Sequence, residues 1–470
     1  MLQSFGASCA RWAERWVPEP LVLAAALNLV VLAVAWMALG EWSAVGGLAE
    51  AWYQGLWAPR WLAFAFQMAF MLATGSVLVE APWVAQGIRR LAGCWQSPAG
   101  AVRLTAFTAA LLSWLHWGLG LMGGAFLARE IGREARRRQQ ALPFGLVVAA
   151  AYGGFLLWHG GLSGSAPLLV AQADHPQAEL VGAIPISQTI FSWNNLGLSL
   201  ALLLILPWLL GRMAHRAGPQ PIPDFDQELL PAQAPSSDCK TTESEGEAAA
   251  PSTFHRWTRR AWLLWLPAVW GLVLLPAWFR GHGGVDLNAV LFLFLTMGIA
   301  LHPDWNSLSR AFRRGAGQSA GILLQFPLYF AAMGVLQESG LVTDLAHAAA
   351  SATEKLAGGT AWLGPVYRCG CFAVAGLVNL VVPSGGGQWA LQGPVVLAGA
   401  ERLGESPAAA VLATAYGDEW TNLLQPFWAL PLLSVTKTRA RTIFGWAIAL
   451  WVLVLPLYLL ALLLPPGTAA

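Results

Sequence analysis

Residues Val378 to Pro394, VNLVVPSGGGQWALQGP, set Gly, Pro, Ser, Asn and Gln inside apolar sequence long enough to lie in a bilayer. Pro383 removes a backbone donor, and Gly385, Gly386 and Gly387 have no Cβ to hold helical geometry, so a helix entering this stretch must break. Lipid cannot satisfy the backbone groups that the break frees. Irregular backbone at membrane depth is tolerated only where protein buries it or a wet cavity meets it, and paired breaks in two halves of a chain point to a transporter site. The first half has a matching stretch, Ser113 to Gly124, SWLHWGLGLMGG, with four glycines. The likeness extends further. Ala151-Tyr152-Gly153 and Ala166 to Leu169 recur as Ala415-Tyr416-Gly417 and Leu430 to Leu433, and Gly123 recurs as Gly387, all at an offset of 264 residues. A duplicated chain with a break in each half follows.

Composition sets the environment. With 56% hydrophobic residues, 11% charged residues and 26 tryptophans, a water-soluble globule is excluded and the chain reads as an all-α polytopic integral membrane protein. The net charge of +2 is no signature of nucleic acid, because the basic residues sit in short clusters between apolar runs, where they report topology. Cys9, Cys94, Cys239, Cys369 and Cys371 have neither metal-binding nor disulfide-framework spacing, so no metal and no cofactor is expected.

Taken in order, Leu21 to Gly40 reads as a retained first span and Trp61 to Glu80 as the next. Trp83 to Trp95 carries Val84, Ile88 and Leu91 on one face and Arg89 and Arg90 on another, which suits a helix in the interface. Ala101 to Ala128 contains the break. As a single span it would put Arg129 to Arg138 opposite Arg89 and Arg90, against the positive-inside bias, whereas a re-entrant hairpin keeps both on the cytoplasmic side. Phe144 to Val170 and Ile184 to Leu210 complete the first half. Residues 218–258 are rich in Pro, Gln, Ser, Asp and Glu and read as a disordered cytoplasmic linker. The expected organisation is therefore a first repeat over 1–217, the linker, and a connecting helix with a second repeat over 259–470. About nine spans and two re-entrant hairpins result, and an odd number of crossings between the halves makes them inverted-topology repeats. The amino terminus is expected in the cytoplasm and the carboxyl terminus in the periplasm of an inner-membrane protein.

Four polar clusters converge if the repeats pack about a pseudo-twofold axis: His116 to Gly124, His159 to Pro167, Asn379 to Gln392 and Gly417 to Pro426. None contains Lys or Arg. The unpaired N–H groups and positive dipole end of a half-helix can nevertheless hold an anion. On this reading Ser384, Gly385, Gly386, Gly387, Gln388, Asn379, Ser163, Gly164, Ser165, His116, Gly120, Asn422 and Gln425 form the substrate site, their hydroxyls and amides adding donors to a carboxylate. Trp158, Trp389, Trp420 and Trp428 would wall it. Interhelical hydrogen bonding is the alternative reading of each polar residue taken singly. Acidic side chains inside a span are costly and mark function, so Asp418 and Glu419 are assigned to a coupling ion or proton, with structural neutralisation of Asp418 as the alternative. His116 and His159 read as lining polarity.

PSGGGQWALQGP at Pro383 to Pro394, AYGDEWTNLLQPFWALP at Ala415 to Pro431, GLSGSAPLL at Gly161 to Leu169 and RWVPEPLVLA at Arg15 to Ala24 strongly resemble the bacterial short-chain fatty acid transporter family. The resemblance covers nearly the whole chain except the linker. It implies a secondary active transporter moving short carboxylates such as butyrate and acetoacetate across the inner membrane. The family is similar in layout to ion-coupled carboxylate transporters with paired hairpins and elevator-type motion. The partners so implied are a small carboxylate, a coupling cation that is a proton or sodium, the lipid bilayer and a second copy in a homodimer. His116 and Asp418 depart from the family's pattern, which has an amide and a glutamate at those places. Two other functions fit the same residues: an integral-membrane enzyme using Asp418, Glu419, His116 and His159 on a lipid-borne substrate, and an ion antiporter on the same scaffold.

Overall fold

The computed structural model describes residues 2–40, 44–173, 175, 177–225, 262–282, 287–382 and 384–464. Among these every regular element is helical. Most of the linker, including Cys239 and residues 226–258, lies outside the described residues, as does Pro383. The first half contains α1 (Leu2–Trp16), α2 (Pro20–Leu39), α3 (Ala44–Leu56), α4 (Pro59–Glu80), α5 (Pro82–Gly93), α6 (Pro98–Leu115), α7 (Trp117–Arg137), α8 (Phe144–Gly153), α9 (Ser165–Val170), α10 (Ala178–Val181) and α11 (Trp193–Ala214). The second contains α12 (Trp262–His282), α13 (Leu287–Leu301), α14 (Trp305–Gly317), α15 (Ala320–Glu338), α16 (Leu341–Ala357), α17 (Leu363–Asn379), α18 (Gly385–Leu403), α19 (Pro407–Thr421), α20 (Pro426–Thr436) and α21 (Ala440–Leu463).

Six stretches are long and apolar enough to cross a membrane: Pro20–Leu39, Val45–Glu80, Pro98–Leu115, Trp193–Ala214, Ala320–Glu338 and Ala440–Leu463. The other apolar helices are short because they break. Their shortness comes from the same Pro, Gly and Asn residues that interrupt the hydrophobic runs. Every residue of α8 and nearly every residue of α19 is buried, so these two broken helices form the centre, with α6, α7, α11, α17, α18 and α21 packed around them.

The breaks are narrower than the glycine runs suggest. In the first half only His116, with extended backbone, separates α6 from α7, and Gly118, Gly120, Gly123 and Gly124 all lie within α7. Those glycines permit contact instead of disrupting helix. A Cβ on Gly120 would collide with Ser113, and one on Gly124 would come within 2.9 Å of Ala109, so the two arms of the hairpin approach closely only because both lack a side chain. In the second half the chain leaves α17 at Asn379 and re-enters helix at Gly385, with Ser384 as N-cap accepting from Gly387 N at 3.2 Å. An N-cap serine satisfies one of the donors that a helix start leaves open.

Besides the four-residue α10, the sequence does not announce α1 and α14, which are amphipathic and too polar for spans, or α3, which is too short alone although it opens the apolar stretch Val45–Glu80. α1 packs along α21, and α3 against α15. Asn28 of α2 ties the latter pair down, accepting from Trp52 Nε1 at 2.7 Å and donating to the Leu328 carbonyl at 3.0 Å. The helix expected from Ile184 begins only at Trp193, capped by Ser192, and residues 186–191 form turns. The start of the expected linker is ordered: Gln220 Oε1 accepts from Gly145 N at 2.6 Å, Arg136 donates to the Pro223 carbonyl at 3.0 Å, and Phe225 is buried edge-on against Phe144.

Candidate functional site

Each broken helix crosses the other at its break. The 3₁₀ turn Gly154–Leu157 that ends α8 touches the 3₁₀ turn Asn422–Leu424 that ends α19. The free backbone groups are held across the halves by the tyrosines of the repeated Ala-Tyr-Gly. Tyr152 OH reaches the carbonyls of Asn422 and Gln425, the second at 2.7 Å. Tyr416 OH lies 3.1 Å from Asn195 Oδ1, and Asn195 Nδ2 donates to the Gly160 carbonyl at 2.7 Å. Each half thus braces the break of the other. The recurrence of the motif was the visible signal; its partner Asn195, 221 residues from Tyr416, carried none.

The loop 158–164 presses onto the end of α19. Glu419 Oε2 accepts from His159 N at 2.9 Å and from Gly160 N at 3.3 Å, while Oε1 is 3.1 Å from Tyr458 OH. Its neighbour Asp418 is as buried, at 2% exposure, yet neither carboxylate oxygen has a hydrogen bond from the described residues. His159 Nδ1 stands 3.5 Å from Asp418 Oδ2, an ion-pair distance too long for a full hydrogen bond. The other ring nitrogen, Nε2, accepts from Ala166 N at 3.2 Å, which assigns the ring proton to Nδ1 and aims it at Asp418. Two adjacent carboxylates therefore differ: one is fully engaged in holding backbone, the other is nearly bare.

Gly385, the first residue of α18, faces the same place. A Cβ there would stand 2.7 Å from the Trp158 ring, 2.9 Å from His159 and 3.3 Å from Asp418 Oδ2. Asn379, at the end of α17, has Nδ2 within 2.7–2.9 Å of the Asp418 carbonyl, Thr421 Oγ1 and Asn422 Oδ1. On the other side Ser163 Oγ accepts from Trp117 N at 2.9 Å, next to His116, whose Nδ1 caps Gly118 N at 3.1 Å. So all four polar segments are linked, through Asn379 to Asp418, Gly385 to His159, and Ser163 to Trp117. Buried polar atoms without a hydrogen bond collect here as well: Asn379 Oδ1, Asn422 Nδ2 and both amide atoms of Gln425 join the Asp418 oxygens. Such groups are rare in a folded interior and each calls for a reason.

Not every expected site residue turns to this centre. Gln388 Nε2 donates to the Ala375 carbonyl at 2.9 Å and to Gln392 at 3.0 Å, tying the hairpin together, and Gly120 packs on Ser113. Ser165, beside Gly164, is half-buried and begins α9, with no side-chain hydrogen bond among the described residues. Gly386 faces open space, whereas Gly387 abuts Trp61. Of the expected tryptophan wall, Trp158 stacks on His159 at 4.2 Å and continues through Phe155 to Trp428 and Trp117. Trp420 instead stacks on Trp451 at 4.4 Å. No group of three or more His, Cys, Asp or Glu among the described residues could hold a metal.

A helical chain with several membrane-length helices and broken helices around a buried polar centre is a multi-pass membrane transporter in architecture. The chain belongs to the short chain fatty acid transporter family, whose sequence profile matches residues 1–464. It is 32% identical over 439 residues, 93% of this chain and 94% of the relative, to an Escherichia coli (strain K12) protein provisionally named a short-chain fatty acid transporter. A Haemophilus influenzae (strain ATCC 51907 / DSM 11121 / KW20 / Rd) protein with the same provisional name is 31% identical over 459 residues, 96% of each chain. Among solved structures, the YdaH transporter of Alcanivorax borkumensis aligns with 95% of this chain and 96% of its own at a TM-score of 0.43 and 17% identity. The MtrF protein of Neisseria gonorrhoeae, described with a class of antimetabolite efflux pumps, aligns with 96% of each at 0.42 and 14% identity.

Proposed function

We propose that this chain is a secondary active transporter of short-chain fatty acid anions such as butyrate and acetoacetate, working across the bacterial inner membrane. Two inverted-topology repeats are the expected frame: α6, α7, α8 and α9 start at residues 98, 117, 144 and 165, and α17, α18, α19 and α20 at 363, 385, 407 and 426, in the same order and with a break at the same step. In this reading α6–α7 and α17–α18 are re-entrant hairpins, about nine spans cross the bilayer, and the basic clusters place the amino terminus in the cytoplasm.

The observation that carries the reading is bare Asp418 at the meeting of four polar segments that contain no Lys or Arg. The substrate carboxylate is assigned to the junction of Ser384, Gly385, His159 and Ser163, where the start of α18 offers N–H groups, and its hydrocarbon tail to the wall of Trp158 and Trp428. Two negative charges side by side in a low dielectric are strongly unfavourable, so a substrate carboxylate beside Asp418 calls for a cation or proton to accompany it. That electrostatic requirement makes the substrate and the coupling ion bind together, which is symport. Asp418 is then the coupling group, and Glu419, with His159 N and Gly160 N, positions it. Movement of the two hairpins and broken helices as one body, an elevator-type motion, would carry the site between faces.

Reconstitution tests this. Purified protein in proteoliposomes should accumulate labelled butyrate and acetoacetate when an inward sodium or proton gradient is imposed, and one of the two gradients should drive it alone. Equal uptake with neither gradient would refute coupling; no uptake of either acid, with the protein inserted, would refute the substrate assignment.

A further inference from the structure

A cavity lined by charged residues lies away from the polar centre. It has a volume of about 220 Å³ and sits where α4, α5, α7, α14 and α20 end or cross, walled by Val79, Ile88, Phe225 and Val435 between charged side chains. Five basic residues, Arg89, Arg129, Arg133, Arg314 and Lys437, face two carboxylates, Glu80 and Glu130. Both carboxylates are already engaged: Glu80 by the Nε and Nη2 of Arg314, Glu130 by Arg133 at 2.5 Å and Arg129 at 3.4 Å. Lys437 donates to the Asp224 carbonyl at 3.1 Å and holds a left-handed backbone, φ +50°, at the end of α20. Arg89 is exposed and pairs with no described residue.

Arg129 is the unusual group. Only 8% of it is exposed, its guanidinium lies 4.9 Å over the Phe126 ring, its one bond to a carboxylate is the long Nε contact with Glu130, and its two terminal nitrogens donate to no described residue. A guanidinium whose terminal nitrogens are not taken up by a carboxylate keeps a fork that matches two oxygens of one anion. α7 begins beside His116 at the polar centre and brings Arg129 to the cavity about 18 Å along its axis; α20 does the same for Val435 over about 14 Å. The two helices join one site to the other.

We infer that this cavity is a second, peripheral carboxylate site, a basic vestibule in which Arg129 holds the anion, exposed Arg89 attracts it from the rim, and the apolar wall takes a short hydrocarbon tail. That wall favours a short-chain fatty acid over inorganic phosphate. The choice of ligand rests on the proposed function; the charge and shape of the cavity do not.

Equilibrium dialysis of labelled butyrate against the full-length protein in neutral detergent tests it, with Ser384→Leu used to disable the central site. The Ser384→Leu protein should keep one butyrate site. Adding Arg89→Gln should weaken that site about threefold at low salt, and the difference should vanish near 0.3 M salt, as expected of a surface charge acting at a distance. Adding Arg129→Gln should abolish it. If that variant fails to fold, the Arg89→Gln salt dependence decides alone. Residual binding that neither Arg89→Gln nor salt alters overturns the inference, as does its absence from Ser384→Leu. Displacement by phosphatidylglycerol with no butyrate retained would assign the cavity to a lipid headgroup and overturn it equally. Wild-type protein that binds butyrate here yet transports none would refute the proposed function and leave the vestibule standing.

Discussion

Glu419 and Asp418 are neighbours of equal burial, and their environments predict opposite responses to truncation. Glu419→Ala leaves the N–H groups of His159 and Gly160 without their acceptor and Tyr458 without one partner. A buried donor left unpaired costs about 1–3 kcal/mol, so the two backbone donors alone cost about 2–6 kcal/mol. Glu419→Gln keeps one oxygen for the backbone pair and should lose only about 1–2 kcal/mol. Asp418→Ala removes a buried carboxylate whose oxygens accept no hydrogen bond, so thermal stability should hold or rise. Gradient-driven uptake should nevertheless disappear. Melting in detergent and butyrate uptake in proteoliposomes, measured on the same three proteins, separate these outcomes. Wild-type melting of Glu419→Ala, or equal destabilisation by Asp418→Ala, would refute the division of roles.

Gly385→Ala should impair uptake at least tenfold, because its methyl meets Trp158 and His159 at 2.7 and 2.9 Å and overpacking of this kind costs about 1–3 kcal/mol; Gly386→Ala, one residue on, should behave as wild type, and similar uptake by the two would count against the packing described. Ser384→Leu removes the cap of α18 and adds bulk beside the carboxylate, so butyrate affinity should fall by roughly ten- to a hundredfold, read as KM in the uptake assay, with insertion unaffected; an unchanged KM contradicts the site. Arg137, then Arg138, hold the Glu134 carboxyl below its ordinary range, so its stabilisation is present above that range and lost as pH falls through the lowered value. Glu134→Gln should therefore narrow the stability gap to wild type on acidification below about pH 4.5, and a gap independent of pH would show that the ion pairs contribute nothing.

The positions of both breaks and the four polar segments were legible because Pro, Gly and amides stand out against a lipid-like background. What the glycines do was not. Gly118 to Gly124 read as helix breakers by composition, yet they lie in α7, where the hairpin arms need their missing side chains. Pairing across the halves left no trace in local sequence: His159 meets Asp418, Tyr416 meets Asn195, and Tyr458, unremarked in an apolar run, completes the shell of Glu419. Arg129 belongs to a basic cluster that reads as topology, and only the packing of α4, α5 and α20 around it turns a boundary marker into a buried cation. The amphipathic α1 and α14 were invisible to an argument built on apolar length.

A short carboxylate bound where the four polar segments meet can be located by its own scattering. Anomalous scattering from crystals soaked with 2-bromobutyrate would place the ligand directly. A bromine peak is expected between Trp158 and Trp428 with the carboxylate against Ser384, Gly385 and His159, lost in Ser384→Leu crystals. A peak confined to the basic vestibule, or to the lipid-facing surface, with the centre empty at saturating ligand, would contradict it.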